Sequence, residues 1–468
     1  MVAVSRFAHT YDLGEYVALY HSLRMKPIYL KKDKHEELVR VLADSSCYRV
    51  DDFPDTIKNE AAELVKYKVL TQNEEEDGRV LKFIQSRVPT PAISVCYMIL
   101  SEQCNLACKY CFLGNNNSQK RDLFSLESMS KETADKALDF FIQQIQMGNH
   151  NSEAHKPILI FYGGEPLMNF SVLEYVADKV GKMRKKVDCL KNIEMSVITN
   201  GVLLDHDKLI RLKELDVAIA ISVDGFTEAS NAMRVDRAGN SVFTHILKTL
   251  NDCKSLGIDI SLSVTLSEET IKDTQNVLEL IDAYGINGFG FNIMMSDENF
   301  VIPNKYNEEA AQFIIDSFIE FRKRGIYEDR MMRKLISFTN SQVYYSDCAA
   351  TAGGQIVIAP DGSVGICHGC LSGKKYFITD IYDSTFCASE NKYFIEWSQL
   401  SPVNRPECLE CSALGICGGG CPINAMHLKE GNTIHSLDER FCTHSIKTLE
   451  FLINDLFRII TDGRENDV

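Results

Sequence analysis

Long apolar runs are missing from this chain of 468 residues, since none approaches the roughly 20 residues of a membrane-spanning helix. The first segment, MVAVSRFAHTYD, lacks the basic flank and apolar centre of a signal peptide. Basic residues number 50 against 65 acidic ones, and the net charge of −15 disfavours a general nucleic-acid-binding protein. We therefore expect a cytoplasmic protein with neither a membrane nor a nucleic acid as partner.

Cysteine, in contrast, is abundant, with 16 residues. In a cytoplasmic chain this number argues against disulfides and for metal ligation, because most of the cysteines lie in tight clusters. The hydrophobic content of 45% is ordinary for a globular protein. The length predicts roughly two to four domains.

The first cluster is a loop of three cysteines directly after the apolar run Val95–Leu100. Cys104, Cys108 and Cys111 have the spacing Cys-x3-Cys-x2-Cys. A four-iron cubane held by three thiolates keeps one iron open to another ligand, which indicates a catalyst rather than an electron carrier. A zinc site is the alternative for three close cysteines.

Residues 1–90 contain no cysteine cluster. Their pattern predicts strands packed on short helices and a closing hairpin, which together are typical of a small winged-helix-like module. The alternative is a structural cap. The elements are extended runs at Arg6–Tyr11, Tyr16–Tyr20, Pro27–Leu30 and Val69–Thr71, helices at Lys34–Leu42 and Thr56–Val65, and an acidic turn at 74–78.

Residues 91–305 alternate apolar runs with helical patterns six times, which predicts an α/β domain with a parallel sheet. One such helix is Lys131–Gln146, with Ser130 as its N-cap. The cysteine loop follows the first strand, at the sheet edge where parallel strands place their chemistry. The predicted strands are Ile93–Leu100, Ile158–Phe161, Ile193–Ile198, Val217–Val223, Ile258–Leu266 and Gly288–Met294.

The other strand ends carry short motifs. The second strand leads into Tyr162-Gly-Gly-Glu-Pro166, where the two glycines allow close backbone approach and Glu165 offers a carboxylate. The third and fourth strands end in Thr199-Asn-Gly201 and Ser222-Val-Asp-Gly225. Each motif alone also suits an ordinary turn.

Together these motifs resemble the radical S-adenosylmethionine (SAM) enzymes. The resemblance implies an open, partial (β/α)6 barrel over residues 91–305, with SAM on the open iron of the first cluster. It also implies that Arg234 clamps the SAM carboxylate, although Asn231 stands where the family pattern usually has Asp. The implied SAM-binding residues are Tyr110, Gly163, Gly164, Glu165, Pro166, Asn200, Ser222, Asp224 and Arg234.

Residues 306–468 are predicted to form bridging helices, a cysteine-rich domain and a C-terminal helix. The cysteines resemble, position by position, the SPASM domain, which carries two auxiliary four-iron four-sulfur clusters; a zinc ribbon is the alternative. The resemblance implies three clusters in all. It assigns Cys408, Cys411, Cys417 and Cys442 to one auxiliary cluster, and Cys348, Cys367 and Cys421 to the other, where either Cys370 is the fourth ligand or one iron is open.

The segment Cys367-His-Gly-Cys-Leu-Ser-Gly-Lys-Lys375 resembles the corresponding segment of the maturases that install thioether crosslinks in ribosomal peptides. In the relatives that oxidise sulfatases an Asp follows the equivalent cysteine, whereas this chain has His368. His368 is either a proton acceptor or a residue that packs against a cluster. The implied partners are a precursor peptide, whose leader adds a strand to residues 1–90, and a flavodoxin or ferredoxin as electron donor.

Other functions remain open at this point. The same machinery makes carbon–carbon or carbon–oxygen crosslinks or oxidises side chains, and an electron-transfer protein or a zinc-binding interaction protein would also contain clustered cysteines. The five cysteines outside the motifs are expected to be small buried hydrophobic residues. They are Cys47, Cys96, Cys189, Cys253 and Cys387.

Overall fold

The computed structural model describes residues 2–44, 49–73, 75–113, 126–148, 156–295, 302–303, 305–428 and 431–465. No helix in these ranges is long and apolar enough to cross a membrane. The strands are β1 (Ala3–Val4), β2 (Ala8–Leu13), β3 (Tyr16–His21), β4 (Ile28–Lys31), β5 (Leu70–Thr71), β6 (Val95–Ser101), β7 (Ile158–Gly163), β8 (Glu194–Thr199), β9 (Val217–Ser222), β10 (Ile260–Leu266), β11 (Gly288–Ile293), β12 (Tyr327–Glu328), β13 (Gln355–Ile358), β14 (Ser363–Gly365) and β15 (Phe377–Asp380). The helices are α1 (Lys32–Ala43), α2 (Lys58–Lys66), α3 (Glu76–Gln85), α4 (Lys131–Met147), α5 (Phe170–Met183), α6 (His206–Glu214), α7 (Phe243–Ser255), α8 (Gln275–Tyr284), α9 (Tyr306–Lys323), α10 (Asp329–Asn340), α11 (Lys392–Ser398), α12 (Pro422–Leu428) and α13 (Glu439–Glu465).

The six predicted strands are confirmed as β6 to β11, which lie side by side in chain order and are all parallel. A helix follows each strand, as the alternating pattern predicts. The predicted N-cap of α4 is also present, because Ser130 Oγ accepts a hydrogen bond from Thr133 N at 3.0 Å. The carboxyl ends of all six strands therefore meet at one edge.

The sheet extends beyond these six strands into the C-terminal part of the chain. Strand β13 pairs in parallel with β6, and β14 and β15 continue in antiparallel order. At the other end β12 joins β11 in parallel. Because β13 is the neighbour of β6, the residues after the predicted barrel lie next to the strand that carries the three-cysteine loop.

The two faces of this sheet differ. On β6, Cys96, Met98 and Leu100 pack with the helices in the main hydrophobic core, whereas Tyr97 and Ile99 point to the opposite, inner face. On β8 to β11 most inner-face side chains are small or polar, and all are half-buried or exposed; Ile198 on β8 is the large apolar exception. The small or polar residues include Ser196, Ala218, Ala220, Ser222, Ser261, Ser263, Thr265, Gly288, Gly290 and Asn292.

Residues 2–85 follow the predicted order of strands and helices, with one correction. The predicted acidic turn at 74–78 and its hairpin are wrong, because α3 begins at Glu76 and β5 pairs with β1 from the start of the chain. Residue 74 itself lies outside the described residues. Helix α3 forms although it contains Asp77 and Gly78, a pair typical of turns, because Val80, Leu81 and Ile84 form an apolar face that packs against Phe7.

This N-terminal region packs against the C-terminal region. Strand β3 is buried on both faces: Val17 and Leu19 lie in the region's own core, and Ala18 and Tyr20 contact residues of α10 and α13. The hydroxyl of Tyr29 on β4 also donates a hydrogen bond to Ile453 O at 2.9 Å. The N-terminal region is therefore held against the cysteine-rich part of the chain.

Of the five cysteines outside the motifs, Cys96 and Cys253 are buried as predicted. Cys189 and Cys387 are only half-buried, so the prediction of full burial is wrong for these two. Cys47 lies outside the described residues.

Candidate active site

The three-cysteine loop is held by the segment 233–237. Ala107 N donates to Val235 O at 2.8 Å and Lys109 N donates to Met233 O at 2.9 Å. In the same segment, Arg237 Nε donates a hydrogen bond to Cys104 O at 2.9 Å. The loop that follows β6 is thereby fixed to the chain that follows β9.

Tyr110, Asp224 and Arg234, predicted separately, meet behind this loop. The Tyr110 hydroxyl donates to Asp224 Oδ2 at 2.5 Å, and Arg234 Nε lies 3.1 Å from the same oxygen. Asp224 Oδ1 accepts from Thr265 N at 3.1 Å. Arg234 is 5% exposed and is therefore not a solvated surface arginine.

Burial controls the electrostatics of these three groups. It raises the pKa of Asp224, while Arg234 and the Tyr110 hydrogen bond act in the opposite direction. It also raises the pKa of the Tyr110 hydroxyl, which remains a hydrogen-bond donor. A buried ion pair of this kind fixes the orientation of both side chains.

Glu165 of the Gly-Gly-Glu-Pro motif is buried and hydrogen-bonded to the next two strand ends. Its Oε1 accepts from Leu167 N at 3.0 Å and Thr199 Oγ1 at 2.7 Å, and its Oε2 accepts from Asn200 N at 2.9 Å. Burial raises the pKa of Glu165 to about 7, against the lowering effect of these bonds. Pro166 follows as the first residue of a short 3₁₀ turn.

The two glycines of the motif are required for a packing reason that the sequence did not indicate. A Cβ on Gly163 would lie 2.2 Å from Ser101 O, and one on Gly164 would lie 2.4 Å from Gln103 O. Gly164 N donates to Ser101 O at 2.9 Å. The glycines therefore allow the motif to pack on the backbone that leads into the cysteine loop, rather than only opening space for a ligand.

Asn200 connects the third strand end to the first cysteine. Its Nδ2 lies 2.8 Å from Asn105 Oδ1 and 3.8 Å from Cys104 Sγ, and Leu106 N lies 3.4 Å from the same sulfur. Two N–H groups therefore point at this sulfur, which favours a thiolate there. Asn105 was not predicted, and only its position between the cysteines signals it.

All three thiols of the loop are free and half-buried. Burial raises the pKa of Cys104 and raises that of Cys108 to about 11, so a bound metal would be required to hold these two as thiolates near neutral pH. Within the described ranges, no three His, Cys, Asp or Glu side chains converge on a single metal-ion position. In a cubane each cysteine binds a different iron, and the N–H groups at Cys104 fit such a cluster.

The C-terminal cysteines separate into two sets by their electrostatic neighbours. Burial raises the pKa of Cys442 to about 12, with contributions from the thiols of Cys417, Cys408 and Cys411. We call these four the second set. The first set is Cys348, Cys367 and Cys421. Burial raises the pKa of Cys421, which Asp438 raises further and Arg440 lowers, and Cys367 adds to the rise. Enclosure of its sulfur and then Cys367 raise the pKa of Cys348, although the residue as a whole is exposed. That each set holds one cluster stays a prediction.

Cys370 lies with the first set. It is 4% exposed and sits on a short 3₁₀ turn with His368, and its thiol is hydrogen-bonded to Cys367, which raises the pKa of Cys367. The sequence 349–354 provides no other thiol near Cys348.

His368 lies among aromatic side chains of the inner face. Its ring stacks on Tyr97, with centroids 4.5 Å apart, and meets the ring edges of Tyr162 at 5.0 Å and Phe112 at 5.8 Å. Burial lowers the pKa of His368 to about 4, and its Nδ1 has no hydrogen-bond partner in the part of the chain that the structure describes. The imidazole is therefore neutral near pH 7. Tyr97 and Tyr162 were not predicted, although both occupy inner-face positions in the strand alternation.

Ser222 ends β9 on the same inner face, half-buried and in register with Ser263 of β10. The predicted residues thus surround one region at the carboxyl ends of β6 to β9, with Cys367 and His368 beside it. In the sequence, the strand-end motifs and the cysteine spacing both indicate this region.

Comparison with known proteins agrees with this geometry. The family model of the radical SAM superfamily matches residues 98–281. The chain therefore has a radical SAM domain, and the resemblance inferred from its motifs is confirmed.

Among curated proteins the chain is similar to the radical SAM cyclopropyl synthase TigE of Paramaledivibacter caminithermalis, with 27% identity over 79% of this chain and 73% of TigE. It is also similar to a cysteine-type anaerobic sulfatase-maturating enzyme of Clostridium perfringens, with 25% identity over 71% of this chain and 89% of the enzyme.

Solved structures show the same fold. Native anSMEcpe with bound AdoMet matches with a TM-score of 0.63 and 20% identity over 78% of this chain and 99% of that one. Streptococcus suis SuiB bound to the precursor peptide SuiA matches with a TM-score of 0.52 and 15% identity over 94% of this chain and 99% of SuiB.

Proposed function

We propose that this chain is a radical SAM maturase that forms a cysteine thioether crosslink in a ribosomally synthesised precursor peptide. The observation that carries the proposal is the position of His368 and Cys367. The His368 ring rests on Tyr97 and Tyr162, side chains of the two strands that lead into the cysteine loop and the Gly-Gly-Glu-Pro motif. A peptide on the inner face would lie between the radical-generating loop and the first set.

The proposed SAM site uses the residues that meet behind the loop. Cys104, Cys108 and Cys111 would hold the first cluster, and the SAM bound to it supplies a 5′-deoxyadenosyl radical that abstracts a hydrogen atom from the peptide. Arg234 would present a guanidinium held by Asp224 to the SAM carboxylate. Glu165 keeps one of its approximately four lone pairs for the SAM ammonium group after accepting three bonds.

The two C-terminal sets are proposed to hold auxiliary four-iron four-sulfur clusters. The second set has four cysteines, and the first set has three with Cys370 beside them. Thioether formation removes two electrons and two protons from the peptide, and the radical step accounts for one of each. The remaining electron requires an acceptor, which is the role proposed for these clusters, and the neutral His368 is a candidate acceptor for the proton.

The N-terminal region is proposed to hold the leader of the precursor. Its three-stranded sheet has the order β2, β3, β4, so β2 and β4 are its edges. An extended leader would add to such an edge through backbone hydrogen bonds. The match to Streptococcus suis SuiB bound to the precursor peptide SuiA spans 94% of this chain and so includes at least part of this region, which supports the proposal. A flavodoxin or ferredoxin is the proposed electron donor.

A second candidate is another oxidative modification by the same machinery, such as a carbon–carbon bond or the oxidation of a side chain. The named relatives favour it, since one is a cyclopropyl synthase and another matures sulfatases. His368, however, replaces the Asp that the resemblance to sulfatase maturases implies after Cys367.

Co-expression with a short cysteine-containing peptide encoded beside the gene tests the proposal. We expect the peptide to lose two hydrogen atoms per crosslink and its cysteines to resist alkylation, as measured by mass spectrometry. The Cys108→Ala variant is the inactive control. The same mass loss with cysteines that remain alkylatable would select the second candidate, and SAM cleavage with no change in any peptide would refute both.

A further inference from the structure

Two buried cations lie beside the second set of cysteines. Lys334 on α10 is 1% exposed, and its Nζ donates to Cys417 O at 3.0 Å, to Ser445 Oγ at 3.0 Å and to Ile416 O at 3.3 Å. Arg405 is 6% exposed and precedes the short turn that ends at Cys408, whose backbone N–H donates to Arg405 O at 3.0 Å.

Neither cation forms an ion pair with a carboxylate of the described residues, in contrast to their neighbours. Arg330 pairs with Asp347 at 3.6 Å, and Arg333 pairs with Asp329. Next to the first set, Arg440 pairs with Asp438 at 2.8 Å. The arginine next to the first set is therefore compensated, whereas the second set faces two positive charges with no ion pair among the described residues.

The side chain of Arg405 is also incompletely hydrogen-bonded. Its Nε is buried and has no hydrogen-bond partner among the described residues, where its two amino groups make long bonds of 3.4 Å to Ser436 O and Ile434 O. Burial lowers the pKa of Arg405, and the thiols of Cys408, Cys417 and Cys442 act against this effect. A buried cation without an anionic partner is costly, so its presence indicates an anion at the same place.

We propose that Lys334 and Arg405 are charge-compensating residues of the second set, and that they raise the reduction potential of the iron–sulfur cluster bound there. This inference rests on the auxiliary cluster of the proposed function, but not on the peptide or on the crosslink. Four thiolates give the cluster a net negative charge, which grows by one unit on reduction. Fixed positive charges inside the protein therefore stabilise the reduced form more than the oxidised form.

The test is a redox titration of the fully reconstituted chain, followed by electron paramagnetic resonance. The background carries Cys104→Ala, Cys108→Ala and Cys111→Ala, so that only auxiliary signals remain. The signal of the second set is the one that a further Cys442→Ala substitution removes. In this background, Lys334→Gln and Arg405→Gln should each lower the ratio of reduced to oxidised cluster at a fixed potential about tenfold, a shift of ~59 mV.

Charge-retaining and surface variants complete the test. Lys334→Arg and Arg405→Lys should keep the original potential, and so should Lys323→Gln, which removes an exposed charge on α9. If a Gln variant loses iron from the second set only, full loading of its charge-retaining partner supports the proposal. Unchanged reduction potentials in both Gln variants would overturn the proposal. Equal loss of iron in Lys334→Arg and Arg405→Lys would also overturn it, because the side chains would then support the cluster by their packing and not by their charge.

Discussion

The three-cysteine loop and the second set of cysteines are supported in opposite ways. The loop lies at the carboxyl ends of regular parallel strands, and its buried arginine, Arg234, is paired with Asp224. Three cysteines of the second set lie among turns, next to three consecutive glycines at 418–420 that all have positive φ angles, and the fourth, Cys442, lies on α13. This set faces two cations that form no ion pair with the described residues. The edge of a regular sheet therefore positions one set of thiols, and turns together with the start of α13 position the other.

The largest expected effect separates the two regions by function. Cys108→Ala should abolish SAM cleavage, because a cluster with two thiolates is not held in the loop. Cys411→Ala should leave SAM cleavage intact and abolish the crosslinked product. Anaerobic assays of 5′-deoxyadenosine and peptide mass measure both outcomes. SAM cleavage by the Cys108→Ala variant, or product from the Cys411→Ala variant, would remove the division of roles.

A second prediction concerns the backbone contact that fixes the loop region. In Gly164→Ala the new Cβ would lie 2.4 Å from Gln103 O, a backbone atom that has no side-chain freedom to move. We expect a loss of about 3 kcal/mol in stability, measured as a lower thermal midpoint with the SAM-cleavage rate reduced in parallel.

Gly181→Ala on α5 is the matched control, since a Cβ there meets nothing within 4 Å. In a helix this change should stabilise the protein by up to about 1 kcal/mol. Equal thermal midpoints for the two variants would mean that the loop tolerates displacement of the Gly-Gly-Glu-Pro motif.

The two regions also differ in how far the sequence predicts them. Strands β6 to β11 and the motifs at their ends follow from hydrophobic period and from the rule that parallel strands align their carboxyl ends. Tyr110 and Asp224 follow β6 and β9, whose carboxyl ends lie at the same edge of the sheet, but β7 and β8 separate these strands, so their contact does not follow from strand adjacency. The inner-face tyrosines could have been found from strand alternation.

The surroundings of the second set were not predictable in this way. Lys334 lies on an ordinary amphipathic helix, α10, where a lysine normally indicates a solvent-exposed face. Its burial depends on Ile416 and Cys417, more than 80 residues away in the chain. Helix α3 was missed for a similar reason, since packing against Phe7 overrides a local Asp-Gly signal.

The smallest predicted effect tests whether the loop region depends on its compensated charges. Tyr110→Phe removes one hydrogen bond to the Asp224 carboxylate, which then holds Arg234 with one fewer partner. Hydrogen bonds to charged groups contribute about 1.5–3 kcal/mol, and part of this should appear as SAM affinity weakened about tenfold. Anaerobic calorimetry on the reconstituted enzyme measures the dissociation constant.

Tyr175→Phe is the control for this loss of a hydroxyl. The Tyr175 hydroxyl also donates to a carboxylate, Asp135 on α4, at 2.9 Å, but that pair lies between two outer helices. Its removal should leave SAM affinity unchanged. If both variants bind SAM as the wild type does, the Tyr110 hydroxyl only stabilises the fold. Its hydrogen bond to Asp224 then makes no contribution to SAM binding.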